Sequence, residues 1–253
     1  MPIQVQLFMQ ASSLAQQHPF VRVNVPSPYK IIGGGALDNW SGAGNLLTGT
    51  YPETLNSWVA RGKDHLTASP ATITAYALAI YDPKNEWDVL IQTATAGPVQ
   101  WPQVVAGLPA GYILTGGGGL VQWTGAGNLL TASFPHSLSP GWVVQSKDHG
   151  ITSPAWITSY AIGIRHRYGG VRLATTTKTA TSAVMSHPRT FVCLDPGWIL
   201  TGGGALDDWY PGAGNLLTGT CPAGERCWSA GGKDHVYPSP AKITAYAIGI
   251  REV

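Results

Sequence analysis

Short apolar runs bounded by glycine and proline recur along the whole chain of 253 residues. The last of them, ITAYAIGI at 243–250, is rich in β-branched and aromatic residues and is shorter than an average helix. Both of its alternating faces are fairly apolar, so we predict a central strand that is covered on both sides. No stretch sustains a 3.6-residue hydrophobic period with helix caps. The pattern therefore predicts an all-β protein.

An internal repeat organises these runs into three units. Each unit carries a glycine-rich segment, then GAGNLLT, a proline step, a tryptophan, the tripeptide KDH and a strand like ITAYAIGI. The glycine-rich segments are GGGALDNW at 33–40, GGGGLVQW at 116–123 and GGGALDDW at 202–209, and GAGNLLT starts at 42, 125 and 212. We place the units, each with about six short strands, at 1–82, 83–167 and 168–253.

Several segments predict how a unit folds. GNLLTGTYP and SWVARGKDH, at 44–52 and 57–65, predict a hairpin. The three-glycine run is a poor strand former, so it predicts a bulge or a close backbone approach. The junctions between units are too short for flexible linkers, and closure around a pseudo-threefold axis would bury edge strands. We therefore expect a closed, β-prism-like arrangement, with three packed β-sandwich units as the alternative.

The repeated tripeptide KDH is the candidate chemical motif. Side chains alternate along a strand, so Trp58 and Asp64 share one face while Lys63 and His65 share the other. In every unit the first face carries a Trp, two small residues and an Asp, and we predict that it belongs to the core. The second face becomes polar and is predicted to face solvent. We expect the aspartate to fix the turn after the strand by accepting backbone N–H bonds, with ligand contact as the alternative.

Composition narrows the range of partners. Only 11% of the residues are charged, the formal net charge is +2, and no run of Lys or Arg occurs. A nucleic-acid or anionic-membrane partner therefore has little electrostatic support. No apolar run approaches the ~20 residues that a transmembrane helix needs. The first residues, MPIQVQLFMQ, lack the pattern of a signal peptide, which favours cytoplasmic synthesis and leaves release to the cell exterior open.

The three cysteines are an odd number, which argues against a disulfide framework. Cys221 and Cys227 flank the tight segment CPAGERC, where a disulfide would close the base of one hairpin. The sequence leaves that bond open. Cys193 has no evident partner and is expected to be a small buried apolar residue.

Signals for catalysis and metal binding are weak. Nucleophilic hydrolysis needs a Ser or Cys beside an oriented His, but the chain has no G-x-S-x-G motif and no cysteine recurs between units. A carboxylate pair of Asp38 and Asp64 is conceivable, yet Val121 replaces the first acid in the second unit. One His and one Asp per unit are too few for a zinc site unless three histidines meet at the axis. We predict no enzyme activity, no metal and no cofactor.

Carbohydrate recognition fits the repeated residues better. Sugars bind where an aromatic ring stacks on their C–H faces and polar side chains bond their hydroxyls in a shallow site. The alternatives are that the repeated Trp is core and that the repeated Asn is a turn residue. Val121 and Gln122 replace Asp38 and Asn39, so the second site is expected to be altered. The candidate ligand-binding residues are Asp38, Asn39, Trp40, Asn45, Lys63, Asp64, His65, Trp123, Asn128, Lys147, Asp148, His149, Asp207, Asp208, Trp209, Asn215, Lys233, Asp234 and His235.

In general style the chain resembles tandem-repeat lectins. The unit also resembles a β repeat of bacterial extracellular and phage-tail-like proteins in the stretches GGGA, TYP and ITAYAI, with a Trp between the last two. This second resemblance implies β architecture and surface display, and it transfers no site residue. The function expected is non-catalytic, multivalent binding of glycans or glycoproteins at up to three pseudo-equivalent sites, compatible with a homo-oligomer. The rival is a structural or adhesive module of a fibre, coat or tail assembly.

Overall fold

The computed structural model describes residues 3–210 and 213–253. Met1, Pro2, Pro211 and Gly212 lie outside these ranges, and Gly212 is the glycine that opens the third GAGNLLT copy. The described residues form β-strands joined by turns and contain no helix, which confirms the predicted all-β class. Accordingly, no helix in this part of the chain is long and apolar enough to cross a membrane.

Six strands fall within each repeat unit. The first unit has β1 (Val5–Ala11), β2 (Phe20–Asn24), β3 (Tyr29–Asn39), β4 (Asn45–Thr54), β5 (Ser57–Asp64) and β6 (Thr72–Tyr81). The second has β7 (Trp87–Val99), β8 (Gln103–Gly107), β9 (Ile113–Gln122), β10 (Asn128–Pro135), β11 (Gly141–Asp148) and β12 (Ala155–His166). The third has β13 (Leu173–Thr181), β14 (Arg189–Cys193), β15 (Ile199–Asp208), β16 (Asn215–Pro222), β17 (Cys227–Asp234) and β18 (Lys242–Glu252).

Each of the three six-stranded sheets combines strands from two units. The strand orders are β1-β6-β3-β16-β17-β14, β13-β18-β15-β10-β11-β8 and β2-β5-β4-β9-β12-β7. Every unit therefore divides into two three-stranded halves that belong to different sheets. The halves meet at a short antiparallel seam, as where Thr220 of β16 lies opposite Ala36 of β3. Neither of the predicted arrangements included this sharing of sheets between units.

Within each unit the predicted hairpin and the predicted central strand are confirmed. β4 and β5 form the expected hairpin, and β10–β11 and β16–β17 repeat it. The ITAYAIGI strand β18 lies between β13 and β15, so it is central, as its two apolar faces indicated. The equivalent strands β6 and β12 are central in the same way.

The three-glycine runs bring the backbones of different units into contact. A Cβ atom at Gly33 would lie only 2.1 Å from the backbone oxygen of Thr201, and one at Gly202 would lie 2.5 Å from that of Thr115. At Gly116 the distance to the backbone oxygen of Ile32 would be 2.9 Å. Side chains do not fit at these separations, so the predicted close backbone approach is confirmed. Register shifts beside Gly33 and Gly202 confirm the predicted bulges as well.

The hydrophobic core contains the tryptophan that precedes each KDH. Trp58 is fully buried, its ring packs on Gly34, and its Nε1–H donates to the Thr50 hydroxyl at 3.0 Å. Trp142 and Trp228 are buried in the same way. The predicted core face of the KDH strand is thus confirmed. A second, smaller cluster joins one fully buried leucine from each unit: Leu46, Leu129 and Leu216.

The disulfide joins Cys193 to Cys227, so the pairing of Cys221 with Cys227 is not formed. Cys193 of β14 lies directly opposite Cys227 of β17, whereas Cys221 lies opposite Ser229. The expectation that Cys193 is a buried free residue is therefore wrong. Cys221 is instead the buried free thiol, and burial raises its pKa to about 12.

Candidate functional site

The lysine and histidine of KDH are buried, so the prediction that they face solvent is wrong, whereas Arg61 on the same face is exposed. Lys63 is 4% exposed and His65 is 1% exposed. Lys63 lies opposite Leu46 in the β4–β5 hairpin, and Leu46 packs against the equivalent leucines of the other units. Alternation separated the two faces correctly, but neighbouring units cover the second one. The same burial applies to Lys147, His149, Lys233 and His235.

Each buried lysine hydrogen-bonds across a unit boundary. Its Nζ atom donates at 2.5 to 2.7 Å to a backbone oxygen of the next unit, in the pairs Lys63 to Ala126, Lys147 to Ala213 and Lys233 to Ala43. The bonds run from the first unit to the second, the second to the third, and the third to the first. Burial lowers the pKa of all three lysines, and that of Lys147 falls to about 8.

The KDH histidines meet where the three units join. Their ring centroids are 5.6 to 5.7 Å apart, and each Nε2 atom lies 2.5 to 2.6 Å from the backbone oxygen of another of these histidines. Burial lowers the pKa of each ring, and that of His149 falls to about 4. Both nitrogens of each ring lie beside a backbone oxygen, and we assign an N–H to the closer contact, at Nε2.

This meeting of three histidines does not form a metal site. The Nδ1 atom of each ring lies beside a backbone oxygen of the next unit, at Ala126, Ala213 or Ala43. No ring nitrogen is left to point at a shared metal position. Across residues 3–210 and 213–253, no group of three or more His, Cys, Asp and Glu side chains is placed to hold a metal ion. The contacts join the units instead.

The KDH aspartates fix a turn, as predicted. The Oδ2 atom of Asp64 accepts a hydrogen bond from the Ser69 backbone N–H at 3.1 Å. The equivalent bonds join Asp148 to Ser153 and Asp234 to Ser239. The other carboxylate oxygen, Oδ1, lies beside an exposed ring. The pairs are His18 Nε2 with Asp64 at 3.6 Å, Trp101 Nε1 with Asp148 at 3.1 Å and His187 Nδ1 with Asp234 at 3.4 Å.

At each unit boundary the exposed ring beside the aspartate belongs to a cluster of side chains. The repeated Trp of the next unit is half-buried, and the buried KDH lysine lies 4.8 to 5.0 Å from its ring centroid. The exposed ring beside the aspartate is 5.2 to 5.6 Å from the same Trp. We call these the boundary clusters: the first is His18, Lys63, Asp64 and Trp123; the second is Trp101, Lys147, Asp148 and Trp209; the third is His187, Lys233, Asp234 and Trp40.

The repeat pattern did not predict the exposed ring of each cluster. His18, Trp101 and His187 lie in the divergent part of their units. One signal was available, since each ring directly precedes a proline: Pro19, Pro102 and Pro188. These prolines are buried, and their backbone oxygens accept hydrogen bonds from the KDH strand at 3.0 to 3.2 Å. The ring is therefore held beside the aspartate by the backbone.

Five other predicted site residues are buried rather than displayed. Asp38 is 3% exposed, neither of its oxygens has a hydrogen-bond partner among the described residues, and burial raises its pKa to about 8. Asn45 is fully buried and its Nδ2 atom donates to the backbone oxygens of Gln17 and Ser69. Asp207, Asn128 and Asn215 are buried in the same way. The two remaining predicted residues, Asn39 and Asp208, are exposed.

A cleft of about 360 Å³ opens beside the third boundary cluster. His187, Lys233 and Asp234 line it from the third unit, and Gly42 and Ala43 line it from the first. The structure thus brings two of the predicted residues, Lys233 and Asp234, into one concave surface with an exposed ring. This surface exists only where two units meet.

No family model matches the chain, and no curated protein is significantly similar to it. The function must therefore be inferred from the geometry of the boundary clusters.

Proposed function

We propose that this protein is a non-catalytic carbohydrate-binding protein whose three sites are the boundary clusters. The observation that carries the proposal is the same at each boundary: an exposed ring lies beside an aspartate oxygen and against a half-buried Trp. A sugar presents C–H faces to rings and hydroxyls to carboxylates, so this combination suits it. The aspartate is held by its other oxygen, which reduces the entropy lost on binding.

The sites are of two kinds. The first and third boundary clusters display a histidine, His18 or His187, whereas the second displays Trp101, which is 59% exposed. An indole offers a larger apolar surface than an imidazole, so the second site should hold a sugar most tightly. The difference between units is therefore an exchange of the stacking ring, whereas Val121, which replaces Asp38, lies buried.

The buried Lys and His of KDH do not support sugar binding, because the neighbouring units cover them. Their burial favours a second candidate function, a structural or adhesive module in which KDH serves packing alone. The two candidates differ in what the exposed rings do. In the structural module, removal of the rings leaves assembly unchanged; in the lectin, it removes ligand binding.

The test is a glycan array followed by calorimetry with the best monovalent oligosaccharide. Wild type is expected to bind with three sites per chain, Trp101→Ala with two, and the triple variant His18→Ala, Trp101→Ala, His187→Ala with none. Each lost ring should weaken its own site at least about tenfold. Phe191→Ala removes an exposed ring outside the clusters and serves as the control. A wild type that binds no glycan and assembles into regular polymers would replace this proposal with the structural module.

A further inference from the structure

A larger cleft lies between the first and third units, away from the boundary clusters. Its volume is about 650 Å³, within the ~300–1,000 Å³ range of small-molecule sites. Seven of its ten lining residues are apolar: Val5, Leu7, Leu78, Trp198, Ile199, Leu200 and Pro222. Leu7 of edge strand β1 is 42% exposed at this surface. An apolar floor of this size suits a ring system rather than a hydroxyl-rich sugar.

The Trp198 ring is held from one side. The guanidinium of Arg251 stacks at 4.5 Å from its ring centroid. Such cation–π stacking fixes the ring and lowers the entropy lost when a ligand packs against it. Trp198 is therefore a preformed wall of the cleft.

The polar rim of the cleft is a turn that the disulfide anchors. Glu225 and Arg226 lie on this turn, directly before Cys227, which is bonded to Cys193. The Leu194 backbone N–H donates to the Arg226 backbone oxygen at 2.9 Å. The Arg226 side chain has only a long contact of 3.4 Å, to the Leu194 oxygen, and forms no ion pair within the described residues. Its guanidinium is available to an anion.

The corresponding cleft between the second and third units provides a comparison inside the same chain. Strand register places Thr175 and Thr177 where Val5 and Leu7 stand. The turn there, 136–140, contains no arginine, and no cysteine lies beside it. That cleft is also smaller, about 360 Å³. Of these two clefts, only the one between the first and third units combines the apolar floor, the arginine and the disulfide.

We propose that the cleft of Leu7, Trp198 and Arg226 is a second ligand site, which binds small molecules with an aromatic body and one anionic group. The body packs between the apolar floor and Trp198, and the Arg226 guanidinium bonds the anion. Glu225 on the same turn keeps the rim close to neutral, which favours a single negative charge over a polyanion. This site does not depend on the proposed sugar sites.

The probe is 1-anilinonaphthalene-8-sulfonate, compared with its uncharged analogue N-phenyl-1-naphthylamine by fluorescence titration. Wild type is expected to bind one sulfonate probe per chain, about tenfold more tightly than the analogue. Arg226→Glu should remove that tenfold preference without weakening the analogue. Leu7→Trp should fill the floor and abolish binding of both. Lys84→Glu makes the same charge change at an exposed position outside the cleft and should change nothing.

Two further variants test the role of the disulfide and the independence of this site from the sugar sites. The double variant Cys193→Ser, Cys227→Ser should weaken the sulfonate probe severalfold, whereas His187→Ala should leave it unchanged. Thermal melting verifies that each variant is folded. If Leu7→Trp does not fold, Arg226→Glu still tests the site, because Arg226 is exposed. Unchanged sulfonate binding in folded Leu7→Trp, or in Arg226→Glu, would overturn the assignment. Absence of saturable binding by wild type would do the same.

Discussion

Replacement of Asp38 by asparagine should stabilise the protein at neutral pH. The carboxyl is 3% exposed, none of its oxygens is hydrogen-bonded within the described residues, and burial raises its pKa from 3.8 to about 8. Asp38 Oδ2 and Asn45 Oδ1 both lie beside Gly62, where a Cβ atom would be 2.6 Å from the first and 2.5 Å from the second. An amide at position 38 keeps the shape of the acid, has no charge to desolvate and offers Asn45 Oδ1 a donor.

The magnitude follows from the pKa difference. Between pH 3.8 and 8 the folded state holds this proton and the unfolded state releases it, so stability falls as pH rises through that window. Each pKa unit corresponds to about 1.36 kcal/mol, which makes the cost about 4 kcal/mol at pH 7 and close to zero at pH 4. Asp38→Asn should recover up to about that amount. Some of it is lost if water reaches the acid in the native state.

Urea unfolding at pH 4.5, 6 and 7.5, with the disulfide intact, measures this effect. The variant should unfold at about 1 M higher urea than wild type at pH 7.5, since slopes near 3 kcal/mol/M are expected for a large domain. The difference should shrink to about 0.3 M at pH 4.5. Asp208→Asn, an exposed neighbour of the equivalent buried Asp207, is the matched control and should follow wild type. Parallel pH profiles for wild type and Asp38→Asn would refute the reasoning.

Three further outcomes are expected. Burial depresses the pKa of His149 from 6.5 to about 4, so the free energy of unfolding should fall as pH drops through that window. The loss should reach up to about 3 kcal/mol for this group. Thermal melts between pH 7 and pH 4 should show it. Gly33→Ala should cost about 3 kcal/mol or more in urea unfolding because its Cβ meets a backbone oxygen of another unit, whereas Gly107→Ala, with open space, should change stability by no more than about 1 kcal/mol. Cys193→Ser opens the 34-residue loop closed by Cys227 and should cost about 4 kcal/mol in unfolding under oxidising conditions; stability equal to wild type would contradict the pairing.

The fold class, the β4–β5 hairpin and the central strand could be predicted because they depend on local pattern. Alternation placed Trp58 on the core face, and the two apolar faces of 243–250 indicated a central strand. The three-glycine run indicated close backbone approach, which Gly33 shows. The sharing of each sheet between two units could not be predicted, because identical repeats give no signal for whether a strand pairs within its own unit or with the next.

The wrong predictions at the site also arise because local pattern does not reveal contacts between units. Alternation assigns residues to faces, but it does not say what covers a face, so Lys63 and His65 were placed in solvent although another unit buries them. The exposed rings were missed because repetition drew attention to invariant residues, whereas His18 and Trp101 differ between units. Spacing likewise suggested Cys221 and Cys227, while register places Cys193 opposite Cys227.

The boundary clusters and the contacts between units share the KDH lysine, but variants of different residues can separate the two roles. Lys63 bonds the next unit through Ala126 and also lies against the Trp123 ring, so its loss should lower stability and sugar affinity together. His18 touches the same Trp123 from the exposed side and bonds nothing across the boundary, so its loss should lower affinity alone. Because the donors pass from unit to unit and return to the first, removing the first unit would take the Ala43 oxygen from Lys233 and the His65 oxygen from His235, and would leave Lys233 bonded to the Asp234 oxygen of its own unit. These contacts between units account for the recurrence of KDH in all three units even though its lysine and histidine are hidden from solvent.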